Sequence, residues 1–135
     1  MRILRRVLES VAAHARESFP HESCGILLAG IEDPSTVRWS LRAENAENVH
    51  PERAYVLGHK AHIRAVKMEF SGTARIVGYY HSHPDGEARP SQNDVNQAVA
   101  GVTYLIVGIR NGDIERAAWK LRGDRLVQEP LEVRE

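Results

Sequence analysis

Apolar side chains near the start of the chain recur at the spacing of an α-helix. The positions that share one helical face, with charged residues opposite them, are Ile3, Leu4, Val7, Leu8, Val11 and Ala12. This spacing of i, i+3 and i+4 predicts an amphipathic helix that begins with the chain and packs on a core. The Phe19-Pro20 step ends the helix, because the residue before a proline disfavours the α region.

Two short apolar runs after this helix predict a pair of strands. Residues 24–30 (CGILLAG) are bounded by turn formers, which is typical of a buried strand, and residues 36–42 (TVRWSLR) alternate as a half-buried strand does. The turn between them predicts a hairpin. A polar loop follows, in which AYVL (54–57) predicts a short strand. Residues 58–72 then predict a helix that stops at Gly72.

A further strand leads into the segment that carries the candidate chemistry. The β-rich run ARIVGYY (74–80) ends immediately before His81. Residues 84–90 (PDGEARP) have the composition of a loop. Residues 91–101 predict a short helix with Ser91 as its N-cap and a glycine stop.

The last part of the chain is predicted to be mostly strands. Residues 103–109 form another buried apolar run, and Asn111-Gly112 is the strongest hairpin signal in the sequence. Further strands flank a turn at Gly123-Asp124. The order of these elements predicts one α+β domain over residues 1–135, with a mixed sheet flanked by helices.

Composition and charge narrow the classes of partner. The 135 residues include 18 basic and 18 acidic side chains, so the net charge is zero. A neutral chain lacks the bulk attraction that drives binding to phosphate backbones, so no nucleic-acid partner is expected. No apolar run approaches a membrane span, so no membrane partner is expected either. Cys24 is the only cysteine, which excludes an intrachain disulfide. Charged residues interrupt any signal-peptide core near the N-terminus, so the cytoplasm is the expected compartment.

Two histidines at the end of the strand 74–80 are candidate metal ligands. Residues i and i+2 of a strand point the same way, so His81 and His83 project together and Ser82 points to the other face. Two neutral imidazoles on one face suit zinc above other metals. Asp94 lies in the first turn of the next helix, and the loop 84–90 is long enough to return it to the strand end. Three protein ligands would leave a position open, as catalytic zinc sites do.

Two simpler interpretations of the same residues remain open from the pattern alone. A pair of strand-end histidines is more often surface polar chemistry than a metal site. Ser91-Gln-Asn-Asp94 also matches the capping box, in which a serine N-cap and an acidic N3 residue bond each other's backbone. The capping geometry is also compatible with metal binding, since it could aim the same side chains.

A zinc site that hydrolyses a bond also needs a base. A nearby carboxylate can take the proton of a water whose pKa zinc has lowered to about 7. The candidate carboxylates are Glu17, Glu22, Glu44, Glu47 and Glu87. Glu22 is favoured because it precedes the buried strand 24–30, whose mouth can reach a site at another strand's end.

The whole constellation resembles a known family. HSHP(x5)PSxxD, preceded by the glutamate of PHESCGILLAG, is similar to the HxHx7SxxD motif of JAMM/MPN+ (Mov34/MPN/PAD-1) zinc metalloproteases of the small prokaryotic type. His81, His83, Ser91 and Asp94 match that motif with no departure in spacing. The resemblance covers essentially the whole chain. It implies an α+β fold of the MPN/JAMM, cytidine-deaminase-like type, with a mixed, mostly antiparallel sheet flanked by helices.

The resemblance also implies a role for each residue of the site. His81, His83 and Asp94 bind one zinc ion. Glu22 holds and deprotonates the zinc-bound water and then passes the proton to the leaving amine. Ser91 donates a hydrogen bond to the tetrahedral oxyanion. Cys24 has no role in this mechanism and is expected to be a small buried hydrophobe.

The implied substrate is a ubiquitin-like or sulfur-carrier protein with a C-terminal Gly-Gly tail, cut at the amide or isopeptide bond after that tail. We expect the tail to lie extended beside a sheet edge, where strand addition provides affinity. The chain has no obvious insertion, so strict selectivity for ubiquitin chains is not expected. Two alternatives are a non-catalytic MPN scaffold, which typically lacks the metal ligands, and a DNA-linked role. Whether the protein is a monomer or a homodimer is left open by the sequence.

Overall fold

Eight strands and three helices make up the computed structural model, which describes residues 1–135. In chain order they are β1 (Arg2–Leu4), α1 (Arg5–Ser18), β2 (Cys24–Ala29), β3 (Thr36–Ala43), α2 (His59–Phe70), β4 (Arg75–His83), α3 (Gln92–Gln97), β5 (Thr103–Arg110), β6 (Asp113–Arg122), β7 (Arg125–Glu129) and β8 (Glu132–Arg134). None of the three helices combines the length and apolar character that crossing a membrane would need.

All eight strands belong to one sheet, in the order β7-β6-β5-β4-β2-β3-β1-β8. The β1–β3, β1–β8 and β4–β5 pairs are parallel and the other four pairs are antiparallel. The predicted mixed, mostly antiparallel sheet flanked by helices is thus confirmed. Because β7 and β8 are consecutive in the chain yet lie at opposite ends of this order, the sheet must curl until its two edges approach each other.

The two central strands, β4 and β2, are covered on both faces. On one face, α1 packs its buried Val7, Leu8 and Val11 over a core that includes Leu27 of β2. On the other face, α2 packs over Ile26 and Leu28, the neighbours of Leu27. These contacts use the alternation of side chains along β2 and leave this strand fully buried, as its continuous apolar sequence predicted. The predicted hairpin of β2 and β3 is confirmed by their antiparallel pairing.

Two predicted helix bounds and one predicted strand were wrong. The first helix begins at Arg5, because Arg2–Leu4 pairs in parallel with both β3 and β8 and buries Ile3 completely. AYVL is not a strand, and only Leu57 makes an isolated bridge, to Asn45. The third helix ends at Gln97 and does not reach the predicted glycine stop.

Overlapping hydrogen bonds explain why the third helix is short. Ala98 has an extended backbone with ψ 144°, and its N–H donates to the carbonyl of Val95. The next N–H, that of Val99, donates to the Tyr104 hydroxyl at 2.9 Å. A side chain from β5 therefore takes the donor that one more helical turn would have used.

Candidate metal centre

The centre is built at the end of β4, which extends through both histidines. The rings of His81 and His83 have centroids 5.1 Å apart. Ser82 lies between them in sequence, is fully buried, and its Oγ accepts the Ser23 N–H at 2.8 Å and the Ser23 hydroxyl at 2.9 Å. The alternation of β4 thus places the two imidazoles together and attaches the opposite face of the strand to the residue that precedes β2.

Glu22 reaches the centre because β2 and β4 are antiparallel. Cys24 is paired with His81, and continuing this register places Glu22 opposite His83. Glu22 is only 5% exposed. A carboxylate oxygen of Glu22 and one ring nitrogen each of His81 and His83 all lie within 4.8 Å of one another.

Asp94 returns to the strand end at the start of α3. Its Oδ1 lies 3.1 Å from His81 Nε2, and its Oδ2 lies 3.1 Å from His83 Nε2. The same residue completes a capping box: Asp94 Oδ2 accepts the Ser91 N–H at 2.8 Å, and Ser91 Oγ accepts the Asp94 N–H at 3.1 Å. Capping and contact with both histidines therefore coexist, and the cap holds the carboxylate in place.

The loop 84–90 orients His83. The Nδ1–H of His83 donates to the Glu87 carbonyl at 2.9 Å, which leaves the Nε2 lone pair facing Asp94. Trp119 Nε1–H donates to the Ala88 carbonyl at 3.0 Å. The loop lies directly on Gly108 of β5, where a Cβ atom would come within 2.4 Å of the Gly86 carbonyl oxygen. Packing of the loop thus depends on a position without a side chain.

The polar atoms of the centre fit a divalent metal of the zinc type. Glu22 Oε1 and both ring nitrogens of His81 are buried and have no hydrogen-bond partner, which is unfavourable for polar atoms left alone. A His83 lone pair that faces an Asp94 oxygen at 3.1 Å is repulsive unless a proton or a metal cation lies between them. Imidazole nitrogens and carboxylate oxygens are the zinc ligands of hydrolytic sites.

The electrostatics separate the roles of the two carboxylates. Burial, opposed by His83 and assisted by Asp94, raises the pKa of Glu22 to about 7. Burial would also raise the pKa of Asp94, but the ring nitrogens of His81 and His83, each 3.1 Å from one of its oxygens, outweigh this effect and hold the pKa well below its usual range. Burial lowers the pKa of His81 and so favours the neutral ring. Burial would likewise lower the pKa of His83, but its bonds to Asp94 and to the loop carbonyl raise it.

The remaining base candidates lie outside this cluster. Glu17 is paired with an arginine, Glu87 with two arginines, and the Glu47 carboxylate accepts N–H groups of its own loop. Glu44 is exposed. Of the five carboxylates that were candidates for the base, only Glu22 lies beside the two histidines in the structure.

Tyr55 belongs to the centre although no sequence pattern pointed to it. Its ring stacks on His81, with centroids 4.7 Å apart and an interplanar angle of 25°. This residue lies in the segment that was predicted to be a strand, and no local motif marks it as part of a site. Only the three-dimensional path of the loop between β3 and α2 brings it there.

A cleft of about 600 Å³ opens over one side of the centre. Glu22, His83 and Ser91 all line it, and Phe19 and Arg53 form part of its rim. Its volume is in the range of ligand sites. The three side chains that the sequence nominated for proton transfer, metal binding and oxyanion contact therefore face one solvent-accessible space.

Comparison with known proteins finds a family match over most of the chain. Residues 4–122 match the family model of prokaryotic homologues of the JAB domain. The chain is 35% identical over 103 residues to the desampylase of Haloferax volcanii, a match that covers 73% of each chain. It is 30% identical over 130 residues to the CysO-cysteine peptidase of Mycobacterium tuberculosis, covering 94% of this chain and 86% of the relative.

A solved structure shares the architecture. A JAB1/MPN domain protein from Archaeoglobus fulgidus superposes with a TM-score of 0.66, covers both chains completely, and is 18% identical in sequence. Identity at this level shows the fold alone. The MPN-type α+β fold that the sequence predicted is thereby confirmed.

Proposed function

Since the chain belongs to the family of prokaryotic homologues of the JAB domain, we propose that it is a zinc-dependent peptidase. Its proposed reaction is hydrolysis of the amide or isopeptide bond after the Gly-Gly tail of a ubiquitin-like or sulfur-carrier protein. The relatives support this substrate class, since one is a desampylase and another a CysO-cysteine peptidase.

One observation carries the proposal: buried polar atoms without partners converge at the edge of an open cleft. Glu22 Oε1 and the two ring nitrogens of His81 lack hydrogen bonds, although they lie beside His83 and Asp94. Leaving such atoms unpaired disfavours the folded state. A site that binds a cation and moves protons explains why they are kept.

His81, His83 and Asp94 would hold the zinc ion, with Nε2 of His83 fixed by the bond that its Nδ1–H makes to Glu87. When bound, zinc polarises the substrate carbonyl and makes a water molecule acidic enough to lose a proton near neutral pH. Asp94 suits a ligand because its depressed pKa keeps it ionised.

Glu22 is the proton carrier. Its pKa of about 7 lets it accept a proton from water and release it again at neutral pH. In the net reaction, hydroxide from water adds to the carbonyl carbon, the C–N bond breaks, and the proton held at a Glu22 carboxylate oxygen passes to the leaving amine. The two products are a tail with a free carboxylate and the released amine.

Ser91 is the proposed donor to the oxyanion. Its Oγ already accepts the Asp94 N–H, which engages one of its two lone pairs and leaves the hydroxyl proton available for donation. Ser91 lines the same cleft as Glu22 and His83. A donor held in advance by the helix cap needs no rearrangement during the reaction.

The tail has a sheet edge available near the centre. β7 is one edge of the sheet, and its Leu126 lines a small cavity together with His81 and Asp94. We propose that the tail extends along this side by strand addition, with glycines where side chains would not fit. We further propose that the protein acts in the cytoplasm, which its single, unpaired cysteine supports.

The test combines metal analysis with cleavage of a fusion whose ubiquitin-fold domain ends in Gly-Gly. Wild-type protein is expected to hold one zinc ion per chain and to cleave the fusion. Glu22→Gln should keep zinc and lose turnover, whereas His83→Ala should lose zinc. Undiminished cleavage by zinc-free wild-type protein would overturn the mechanism.

The same experiment addresses the alternative functions. A non-catalytic scaffold would show no turnover in any variant, even with zinc bound. Binding to DNA that weakens steeply with salt would instead favour the DNA-linked role. Cleavage of the fusion that depends on Glu22 would exclude the scaffold.

A further inference from the structure

The loop that joins β3 to α2 closes over the metal centre without forming a helix or strand. We call residues 45–57 the 45–57 loop. Its neck is held by the bridge between Asn45 and Leu57 and by a bond from the Ala46 N–H to the Val56 carbonyl at 2.8 Å. The loop between these points is irregular, so its shape must be set by side chains.

One side chain, that of Asn45, organises most of this loop. Its Nδ2 lies 3.2 Å from the Glu22 carbonyl oxygen, 3.1 Å from that of Ala54 and 3.5 Å from that of Pro51. Its Oδ1 accepts two backbone N–H groups, from Glu47 at 3.0 Å and from Val56 at 3.1 Å. A single amide thus bonds both arms of the loop and also reaches out of the loop to Glu22.

The backbone of Glu22 is held by this loop on both sides of its Cα. The Glu22 N–H donates to the Pro51 carbonyl at 2.7 Å, and the Glu22 carbonyl accepts the Asn45 amide. The next residue, Ser23, is attached to Ser82 of β4. Glu22 therefore lies between the loop and the strand that carries the histidines. The loop holds the Glu22 backbone from one side, and the strand holds the next residue from the other.

The same loop carries Tyr55, which stacks on His81. Tyr55 follows Ala54, whose carbonyl accepts the Asn45 amide, and precedes Val56, whose N–H donates to Asn45. The position of the Tyr55 ring is consequently tied to the same amide. The 45–57 loop therefore holds the backbone of Glu22 and carries Tyr55, and Asn45 bonds to both parts.

We propose that Asn45 is a positioning residue of the reaction. It acts through the Glu22 backbone and through Tyr55, and it sets the distance between the Glu22 carboxylate and the histidine pair. This inference rests on the proposed function, in which Glu22 carries the proton. Asn45 itself lines neither the cleft nor the small cavity beside His81, so it is not a catalytic residue.

The test compares Asn45→Ala with a matched change in the same loop. Asn48 is exposed, and its side chain makes no hydrogen bond. Asn45→Ala is expected to lower kcat about 10- to 100-fold, because misplacing a reacting group by about 1 Å has effects of this size. KM and zinc content should stay near the wild-type values when the assays are run at saturating zinc. Asn48→Ala should change kcat by less than about twofold.

A purely structural role for Asn45 makes a different prediction. It would lower the free energy of unfolding but leave kcat unchanged in assays run well below the melting temperature. A double-mutant cycle with Glu22→Asp separates the two roles, because Asn45→Ala should cost less activity when the carboxylate is already displaced. Equal effects in both backgrounds would overturn the inference.

Two further controls keep the outcome decisive. If Asn45→Ala does not fold, Asn45→Ser, which replaces the carboxamide by a smaller polar hydroxyl on the same Cβ, is measured in its place under the same criteria. If Glu22→Gln retains turnover, the proposed function fails. If Glu22→Gln is inactive while Asn45→Ala matches Asn48→Ala in kcat, only the role of Asn45 is refuted.

Discussion

The loop 84–90 can lie on β5 only because residue 108 has no side chain. In Gly108→Ala, the new Cβ would lie 2.4 Å from the Gly86 carbonyl oxygen, 2.8 Å from the Glu87 carbonyl carbon and 2.9 Å from the Ala88 nitrogen. All three are backbone atoms, so no change of rotamer can relieve the contact. The loop must lift away from the strand.

The size of the effect follows from these distances. Carbon atoms pack comfortably at about 3.5–4.0 Å, so the loop must move by about 1 Å. Overpacking of this kind costs about 1–3 kcal/mol in the free energy of unfolding. Because the Glu87 carbonyl moves with the loop and orients His83, a shift of about 1 Å should also lower turnover by about 100-fold.

The assay measures urea unfolding, zinc affinity and kcat for Gly108→Ala beside Gly30→Ala. The Cβ of the control would meet only the Arg38 Cδ at 3.8 Å, which is an ordinary contact. Gly30→Ala should therefore change stability by less than about 0.5 kcal/mol and leave turnover intact. Wild-type zinc affinity and turnover in Gly108→Ala would refute the link between this packing contact and the orientation of His83.

Ser82→Ala removes the acceptor of two buried groups of Ser23, and urea titrations should show a loss of about 1–3 kcal/mol for each group, whereas Ser10→Ala, at an exposed position of α1, should be near neutral. Burial lowers the pKa of His14 in the folded protein, and Arg42 lowers it further. The neutral ring therefore contributes to the free energy of unfolding above the unfolded pKa of about 6.5, and this contribution is lost as the pH falls below that value. His14→Gln should flatten this dependence, and a curve as steep as that of the wild type would contradict it. Tyr55→Leu should weaken zinc binding about 10-fold in chelator competition. Unchanged affinity would show that the stacked ring does not contribute to metal binding.

Local patterns predicted the elements whose partners are near in the chain. Asn111 and Gly112 have φ values of 52° and 84°, which is the turn that the dipeptide predicted between β5 and β6. The β1 strand was missed because its three residues pair with β3 and with β8, the last strand of the chain. Periodicity within a short window carries no information about such distant pairing, and the helical pattern simply continued through it.

The residues of the metal centre show the same difference between local patterns and contacts that depend on distant parts of the chain. The alternation of a strand predicted that His81 and His83 face together and that Ser82 turns away, and both are seen. The approach of Glu22 depends on the register of β2 against β4, which a single sequence does not specify. The contributions of Asn45 and Tyr55 were missed for a further reason. They come from an irregular loop held by one amide, and such loops have no repeating pattern to recognise.

The hydrogen bond of the Trp119 indole to the loop 84–90 means that intrinsic tryptophan fluorescence can report on the site. The chain has two tryptophans, and Trp119 donates directly to the loop that orients His83. In a Trp39→Phe background, the remaining fluorophore would sense any displacement of that loop through its hydrogen bond to Ala88. Emission from this single ring could then follow metal loading and substrate entry in real time, without a label attached to either partner.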